Sequence, residues 1–120
     1  MCALPVYSSF KVDNGCTIAT PEIEKLDKDD LNKRWGEEIF DLIDQLVDGD
    51  RLVIDFSKVE LMSSSVLQIL LSFRHTTTKR NIKFILCGLN KNNRAVFQIT
   101  CLDRVFTIVE DEAAAIALTA

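Results

Sequence analysis

Three hydroxyls in a row, Ser63, Ser64 and Ser65, are the residues of this sequence best placed to do chemistry. They stand between a short apolar pulse, Val59, Leu61 and Met62, and a nearly continuous apolar segment from Val66 to Phe73. Serine is a favoured N-cap, so the spacing predicts a serine-bearing turn that opens a helix. Backbone N–H groups and the helix dipole favour negative charge at such an end. A phosphate on one of these hydroxyls would be accommodated there. The plainer reading is a cap and a solvated turn, and the two readings share the same residues.

Other candidates are weaker. Asp55 closes the apolar run Leu52-Val53-Ile54 and could act as a carboxylate base. It has no histidine or glycine-rich loop near it in sequence, which favours a structural or recognition role. The four cysteines, Cys2, Cys16, Cys87 and Cys101, show no C-x-x-C spacing, and the one histidine, His75, is distant from all of them. No metal site is expected. Cys16 and Cys87 sit in apolar runs and read as small core residues. The Thr76-Thr77-Thr78 run could be modified, but reads first as a fraying, solvated last helical turn. His75 beside it suits the same end of the helix. Trp35 falls on an apolar stripe and reads as core packing. No dinucleotide fingerprint, P-loop, nucleophile elbow or zinc-protease helix occurs, so no catalytic residue and no cofactor are expected.

The elements that must hold the serine turn follow from pattern. Val6, Ser8, Phe10 and Val12 share one parity, so Pro5 to Val12 reads as a strand with one covered face. Asn14-Gly15 predicts a tight hairpin into a second strand, Cys16 to Ala19, which Thr20-Pro21 ends. Glu22 to Asp30 is acidic and reads as a loop anchored by Ile23 and Leu26. Leu31, Trp35, Ile39, Leu42 and Leu46 recur at helical steps, started by carboxylates near Asp27 to Asp30 and stopped at Asp48-Gly49-Asp50. A buried strand at Leu52–Phe56 and a helix from Ser64, buried on most sides, come next. Then follow a strand at Ile82–Cys87 and a helix from Asn90 to Thr100 with Ala95, Val96 and Ile99 inward. A strand within Arg104–Val109 and a helix at Glu112–Leu118 capped by Asp111 complete the chain. The order β-β-α-β-α-β-α-β-α predicts an α/β single domain over residues 1–120, a mixed sheet with helices packed on it.

Composition narrows the function. Hydrophobic content of 48% and charged content of 27% fit an ordinary globular chain of 120 residues. A net charge of -4 argues against a nucleic-acid surface, which needs a basic patch. No apolar run is long enough to span a bilayer, and MCALPVYSSF lacks the basic and apolar regions of a signal peptide. A cytoplasmic protein with neither membrane nor direct nucleic-acid contact is the expectation, and reduced thiols fit it.

Arg51 to Phe73 resembles the core of STAS domains, the family of bacterial anti-sigma factor antagonists. That family has an apolar strand ending in Asp-Leu, a short loop, and Asp-Ser-Ser-Gly-Leu opening a helix. Here Val53-Ile54-Asp55-Phe56 stands for the strand and Ser63-Ser64-Ser65-Val66-Leu67 for the helix opening. The strand Lys83–Cys87 and the stretch Phe97–Phe106 are similar to the family's later strand and its closing signature. The resemblance implies an antagonist that binds a serine-protein kinase acting as anti-sigma factor. That kinase phosphorylates the antagonist to end the interaction, and a phosphatase restores it. By position the phosphorylated residue is Ser64, with Ser63 and Ser65 as runners-up. The implied docking surface is the serine turn, Ser63 to Ser65, with the loop after the second strand, represented by Glu24 and Asp27. Three positions depart from the pattern: Ser63 replaces the aspartate, Val66 the first glycine, and Cys101 a later glycine. Ser63 lacks the aspartate's charge, and Val66 adds bulk that is expected beside the acceptor.

Two further readings compete with the switched antagonist. One is a STAS scaffold or sensor subunit of a stress-signalling assembly, not phosphorylated at Ser64. The other is a small enzyme using a cysteine or Asp55.

Overall fold

The structure, a computed structural model, describes residues 7–119. Pro5 and Val6 of the expected first strand, and Cys2, lie outside the described residues. Strand β1 (Ser8–Asp13) turns at Asn14-Gly15 into β2 (Cys16–Pro21), with Asp13 paired to Cys16. Both turn residues have positive φ, 51° and 79°, which Asn and Gly tolerate. A two-residue strand β3 (Lys25–Leu26) precedes helix α1 (Asp29–Gln45). Then follow β4 (Arg51–Asp55), a second two-residue strand β5 (Leu61–Met62), and α2 (Ser64–Lys79). The chain closes with β6 (Lys83–Cys87), α3 (Lys91–Ile99), a 3-10 turn at Leu102–Arg104, β7 (Thr107–Val109) and α4 (Glu112–Thr119).

Five strands form one sheet in the order β1-β2-β4-β6-β7. Only the β1–β2 pair is antiparallel; the others are parallel, as strand–helix–strand crossovers require. The expected mixed α/β sheet is therefore present. Helices α1 and α2 cover one face, and α4 covers the other against β2, β4 and β6. The larger core lies under α1 and α2. Trp35, Phe56 and Phe73 are fully buried there, with ring centroids 6.0 Å apart for Trp35–Phe56 and 5.7 Å for Trp35–Phe73. The smaller core, Cys16, Ile18, Val53, Ile85, Cys87 and Ala115, lies under α4. Burial there pushes the Cys87 thiol up to about 12, so it is an inert packing group.

Several expectations change in detail. The acidic loop is not structureless: β3 pairs in parallel with β5, through Lys25–Leu61 and Leu26–Met62. The first strand is real but covered only at Ser8; Phe10 and Val12 are 42% and 73% exposed. An edge strand with no helix above it leaves both faces wet. Helix α1 ends at Gln45, before the Asp-Gly-Asp stop, and Arg80 donates from its guanidinium to the Ile43 and Leu46 carbonyls at that end. The apolar stripe of α1 is rotated from the expected one, with Asn32, Trp35, Gly36, Ile39 and Ile43 buried. Helix α2 buries one face, Val66, Leu67, Leu70, Phe73 and Thr77, and leaves Gln68 and Leu71 exposed. Thr77 is fully buried and donates to the Arg74 carbonyl at 3.1 Å, and α2 continues to Lys79, so the threonine run is regular helix with Thr77 packed and Thr78 exposed. Helix α3 turns Asn93 and Phe97 inward, while Ile99 is 82% exposed. Asn93 faces in because its amide Nδ2 donates to the Val59 carbonyl at 3.3 Å, which fixes the helix rotation. The last strand begins at Thr107, since Leu102–Arg104 winds as a 3-10 turn entered through Cys101. The expected caps at Asn90 and Asp111 are both made, to Asn93 N at 2.8 Å and Ala114 N at 2.9 Å.

Candidate functional site

The serine turn is built by two elements that sequence proximity does not connect. The β3–β5 ladder ends where Ser63 N donates to the Leu26 carbonyl at 2.9 Å. Upstream, the Glu24 carbonyl accepts from Glu60 N at 2.7 Å and from Leu61 N at 3.2 Å. The loop carrying Glu24 and Asp27 is thereby laid along the approach to the serines. Both carboxylate residues are exposed. The structure thus lays the strip of chain that carries Glu24 and Asp27 alongside the segment leading into Ser63.

Ser63 takes the N-cap position of α2 with extended backbone, φ -90° and ψ 172°. Its hydroxyl makes no cap hydrogen bond. The expectation that a serine side chain caps this helix is therefore corrected. The end is closed instead by Val66 N donating to the Ser63 carbonyl at 3.1 Å. The Ser63 hydroxyl is engaged elsewhere. Asn32 Nδ2, from the buried face of α1, donates to Ser63 Oγ at 3.0 Å and to Ser65 Oγ at 2.7 Å. The two hydroxyls themselves lie 2.9 Å apart. Ser63 and Ser65 are half-buried, whereas Ser64 between them is exposed. Ser64 Oγ makes no hydrogen bond to any described residue.

Val66 is fully buried in the main core, so its bulk points away from Ser64 and not beside it. A β-carbon two places along a helix is turned about 200° from the first position. Ser65 also lines a shallow groove between α1 and α2, of about 370 Å³, with Asp29, Lys33, Phe40 and Ile69. Gly36 lets the two helices close at this point: a β-carbon there would stand 3.1 Å from Ile69 Cγ2.

Asp55 is not part of this strip. It lies on the α4 face of the sheet, buried, with Oδ1 accepting from Ser57 N at 2.9 Å. Its hydrogen bond with Glu112 holds the Glu112 carboxyl above the ordinary range, while Lys11, 2.7 Å from Glu112, pulls it down. The carboxyl pair prevails because two adjacent carboxyls share a proton more readily than both ionise. Gly88, at φ 74°, has the Asp55 carboxylate where a β-carbon would stand. His75 and Cys101 are exposed; His75 lies on α2 about three turns beyond Ser64, and Cys101 stands at the entry to the 3-10 turn. Among the described residues no cluster of His, Cys, Asp or Glu could hold a metal ion.

Asn32 is the functional candidate that the sequence left unmarked. A signal existed: the steps Asn32, Trp35, Ile39, Ile43 place an amide on the buried stripe of an amphipathic helix. A polar residue at such a place needs partners, and the serines supply them.

Comparison with known proteins bears on the whole arrangement. Among curated protein sequences none matches the chain. Solved structures do. A STAS domain anti-sigma factor antagonist protein from Planctomyces limnophilus superposes with a TM-score of 0.84 at 17% identity, covering 93% of this chain and 97% of that one. A candidate anti-sigma factor antagonist from Thermotoga maritima gives 0.81 at 19% identity, with 93% of each chain covered. A serine-to-glutamate variant of RsbS from Moorella thermoacetica gives 0.76 at 17% identity, with 95% of each chain covered. At these identities the likeness establishes the fold. The family profile described as the STAS domain matches residues 31–115, well over half of the sequence. That match takes in most of α1, the serine turn and strands β4 to β7, and this chain belongs to the STAS domain family.

Proposed function

We propose that this chain is an anti-sigma factor antagonist, a single STAS domain and binding module with no catalytic role. Its docking to a serine-protein kinase that doubles as anti-sigma factor is switched by phosphorylation of Ser64. The observation that carries this reading is the exposed, unengaged Ser64 hydroxyl at the first position of α2, beside the acidic strip of Glu24 and Asp27. A phosphate there adds roughly -1.5 to -2 charges at neutral pH. The helix end faces it with N–H groups and the positive end of the dipole, so the fold tolerates it. The partner must desolvate that dianion on approach, and an acidic partner surface adds repulsion. Modification therefore blocks docking without unfolding, a phosphatase restores it, and the displaced anti-sigma factor no longer holds its sigma factor when the antagonist is bound. The protein acts in the cytoplasm, without direct contact to nucleic acid or membrane. No helix among the described residues is long and apolar enough to cross a membrane.

The test is a pair of variants and a map. Ser64→Asp weakens binding to the partner kinase, and Ser64→Ala binds but resists release by kinase and ATP. Both melt close to the parent. Mass spectrometry places the phosphate on Ser64. A phosphate on Ser63, Ser65 or the Thr76–Thr78 run would overturn the residue assignment. A second reading draws on Ser63, which leaves the motif's aspartate position uncharged. It is a scaffold or sensor subunit not phosphorylated at Ser64. Concentration-dependent self-assembly in light scattering, with no phosphate taken up from an active cognate kinase, would select it.

A further inference from the structure

We infer that Asn32 decides which of the three adjacent serines is open to modification, an inference that rests on the phosphorylation reading above. The three hydroxyls are chemically equivalent, and nothing in their order distinguishes them. Their surroundings do. Asn32 is fully buried, 31 and 33 residues from its two partners, and its amide nitrogen donates to Ser63 and Ser65 together. With the two hydroxyls also 2.9 Å from one another, three side chains close a ring of hydrogen bonds. Ser63 is the N-cap with extended backbone, φ -90° and ψ 172°, so its side chain meets that of Ser65 while Ser64, the first helical residue between them, points away. It is left outside, exposed.

The buried amide argues that this ring is not ordinary core packing. Asn32 Oδ1 is buried and has no hydrogen-bond partner among the described residues. An unpaired amide oxygen in the interior is a cost that an apolar side chain of similar volume would not carry. Position 32 lies on the same buried stripe as Trp35, Ile39 and Ile43, where leucine would pack. Stability alone does not account for asparagine. Tethering two hydroxyls does.

The consequence for phosphoryl transfer is direct. The acceptor oxygen must form a bond to the γ-phosphorus of ATP while the bond from that phosphorus to the ADP oxygen breaks. The hydroxyl proton passes to a base on the kinase. An oxygen already accepting from Asn32 has a lone pair occupied, and the hydroxyl that donates across the Ser63–Ser65 contact has its proton committed. Both must leave the ring before they can react. Ser64 need not. Asn32 touches no reacting atom, so it is a positioning residue that acts through the serines beside the acceptor.

The experiment has one arm that needs no kinase. Ser63→Cys, Ser64→Cys and Ser65→Cys are made singly, with Asn32 intact and with Asn32→Leu, and alkylated with iodoacetamide. Peptide-resolved mass spectrometry separates each new thiol from Cys101 and the other native thiols. With Asn32 intact, the thiol at 64 reacts about tenfold faster than those at 63 and 65, the rate equivalent of breaking a tether first. In Asn32→Leu the two slow thiols speed up toward the fast one. Equal rates at all three positions with Asn32 intact overturn the inference, and so do rates that Asn32→Leu leaves unchanged. Circular dichroism checks folding; if Asn32→Leu misfolds, Asn32→Ala replaces it. The three-way rate comparison in the Asn32 background stands in either case. The second arm uses ATP and a serine kinase recovered by pull-down with the chain from its native cell. Phosphate goes to Ser64 alone with Asn32 intact and spreads to Ser63 and Ser65 in Asn32→Leu. Phosphate confined to Ser64 in both forms overturns the inference. Absence of phosphate in both forms defeats the phosphorylation reading, and with it the role in choosing an acceptor, while the thiol rates separately report whether the tether exists.

Discussion

The Leu26 carbonyl accepts the backbone N–H of Ser63 at 2.9 Å, and this bond ties the acidic loop to the serine turn. Glu24 and Asp27 are therefore held in place by backbone while their side chains remain in solvent. Charge changes there should be felt by a partner and not by the fold. Glu24→Ala and Asp27→Ala are expected to change the affinity for the partner kinase, measured by titration calorimetry. Stability should stay within about 0.5 kcal/mol of the parent, as for surface substitutions generally. Unchanged affinity with a lowered melting temperature would make the two residues structural.

Helix α2 is anchored by Leu70, fully buried, whereas Leu71 is more than a third exposed. Leu70→Ala should cost about 2–5 kcal/mol in denaturant unfolding, and Leu71→Ala far less. Val66→Gly restores the residue type of the family motif, yet it removes a fully buried side chain and places glycine inside a helix. It should destabilise by about 2–4 kcal/mol, from lost burial and backbone entropy together. A neutral Val66→Gly would show that the helix start rearranges to fill the space.

Cys101 has φ 60° and ψ 16°, the left-handed region, at the entry to the 3-10 turn. A side chain costs roughly 1–2 kcal/mol there, and glycine avoids it. The residue is exposed, so little packing is lost with the thiol. Cys101→Gly should raise stability by about 1 kcal/mol once glycine's own entropy is set against the relief. A fall in stability would mean that the thiol makes a contact worth more than the strain.

The Glu112 carboxyl is raised, first by its hydrogen bond with Asp55, against the opposing pull of Lys11. The native state then keeps this proton to higher pH than the unfolded chain does. The contribution to stability is complete below the unfolded value, about 4.3 for glutamate, and is lost as pH rises through the folded value. Glu112→Gln removes the titration and keeps a donor for Asp55. The stability difference, parent minus variant, should fall with rising pH across this acidic window in urea unfolding. A difference that rises or stays flat would show that Lys11 controls the pair.

Much of the architecture is written in short-range pattern. Asn14-Gly15 specifies its hairpin because only a few residue types accept two positive φ angles in succession. Asn90 and Asp111 specify their caps because the acceptor and the N–H lie three residues apart. The apolar runs at Leu52–Phe56 and Ile82–Cys87 read as strands because their length and branching suit a sheet covered on both faces. The serine turn at the start of α2 is legible for the same reason, whereas Ser64 within it is singled out only by the family resemblance.

Other features depend on which elements meet. Two residues at Lys25–Leu26 have no strand pattern; they become β3 because β5 lies alongside and satisfies their backbone groups. Ser63 reads as a capping hydroxyl, but an amide from α1 reaches it and takes its side chain elsewhere. Helix α3 carries apolar residues on more than one side, and the Asn93 bond to the Val59 carbonyl selects the face that turns in. Periodicity and capping act over three or four residues, within reach of a local reading. The partners of Ser63, Ser65 and Asn93 stand 31 to 34 residues away, and only the packing of α1, β5, α2 and α3 brings them into hydrogen-bond range.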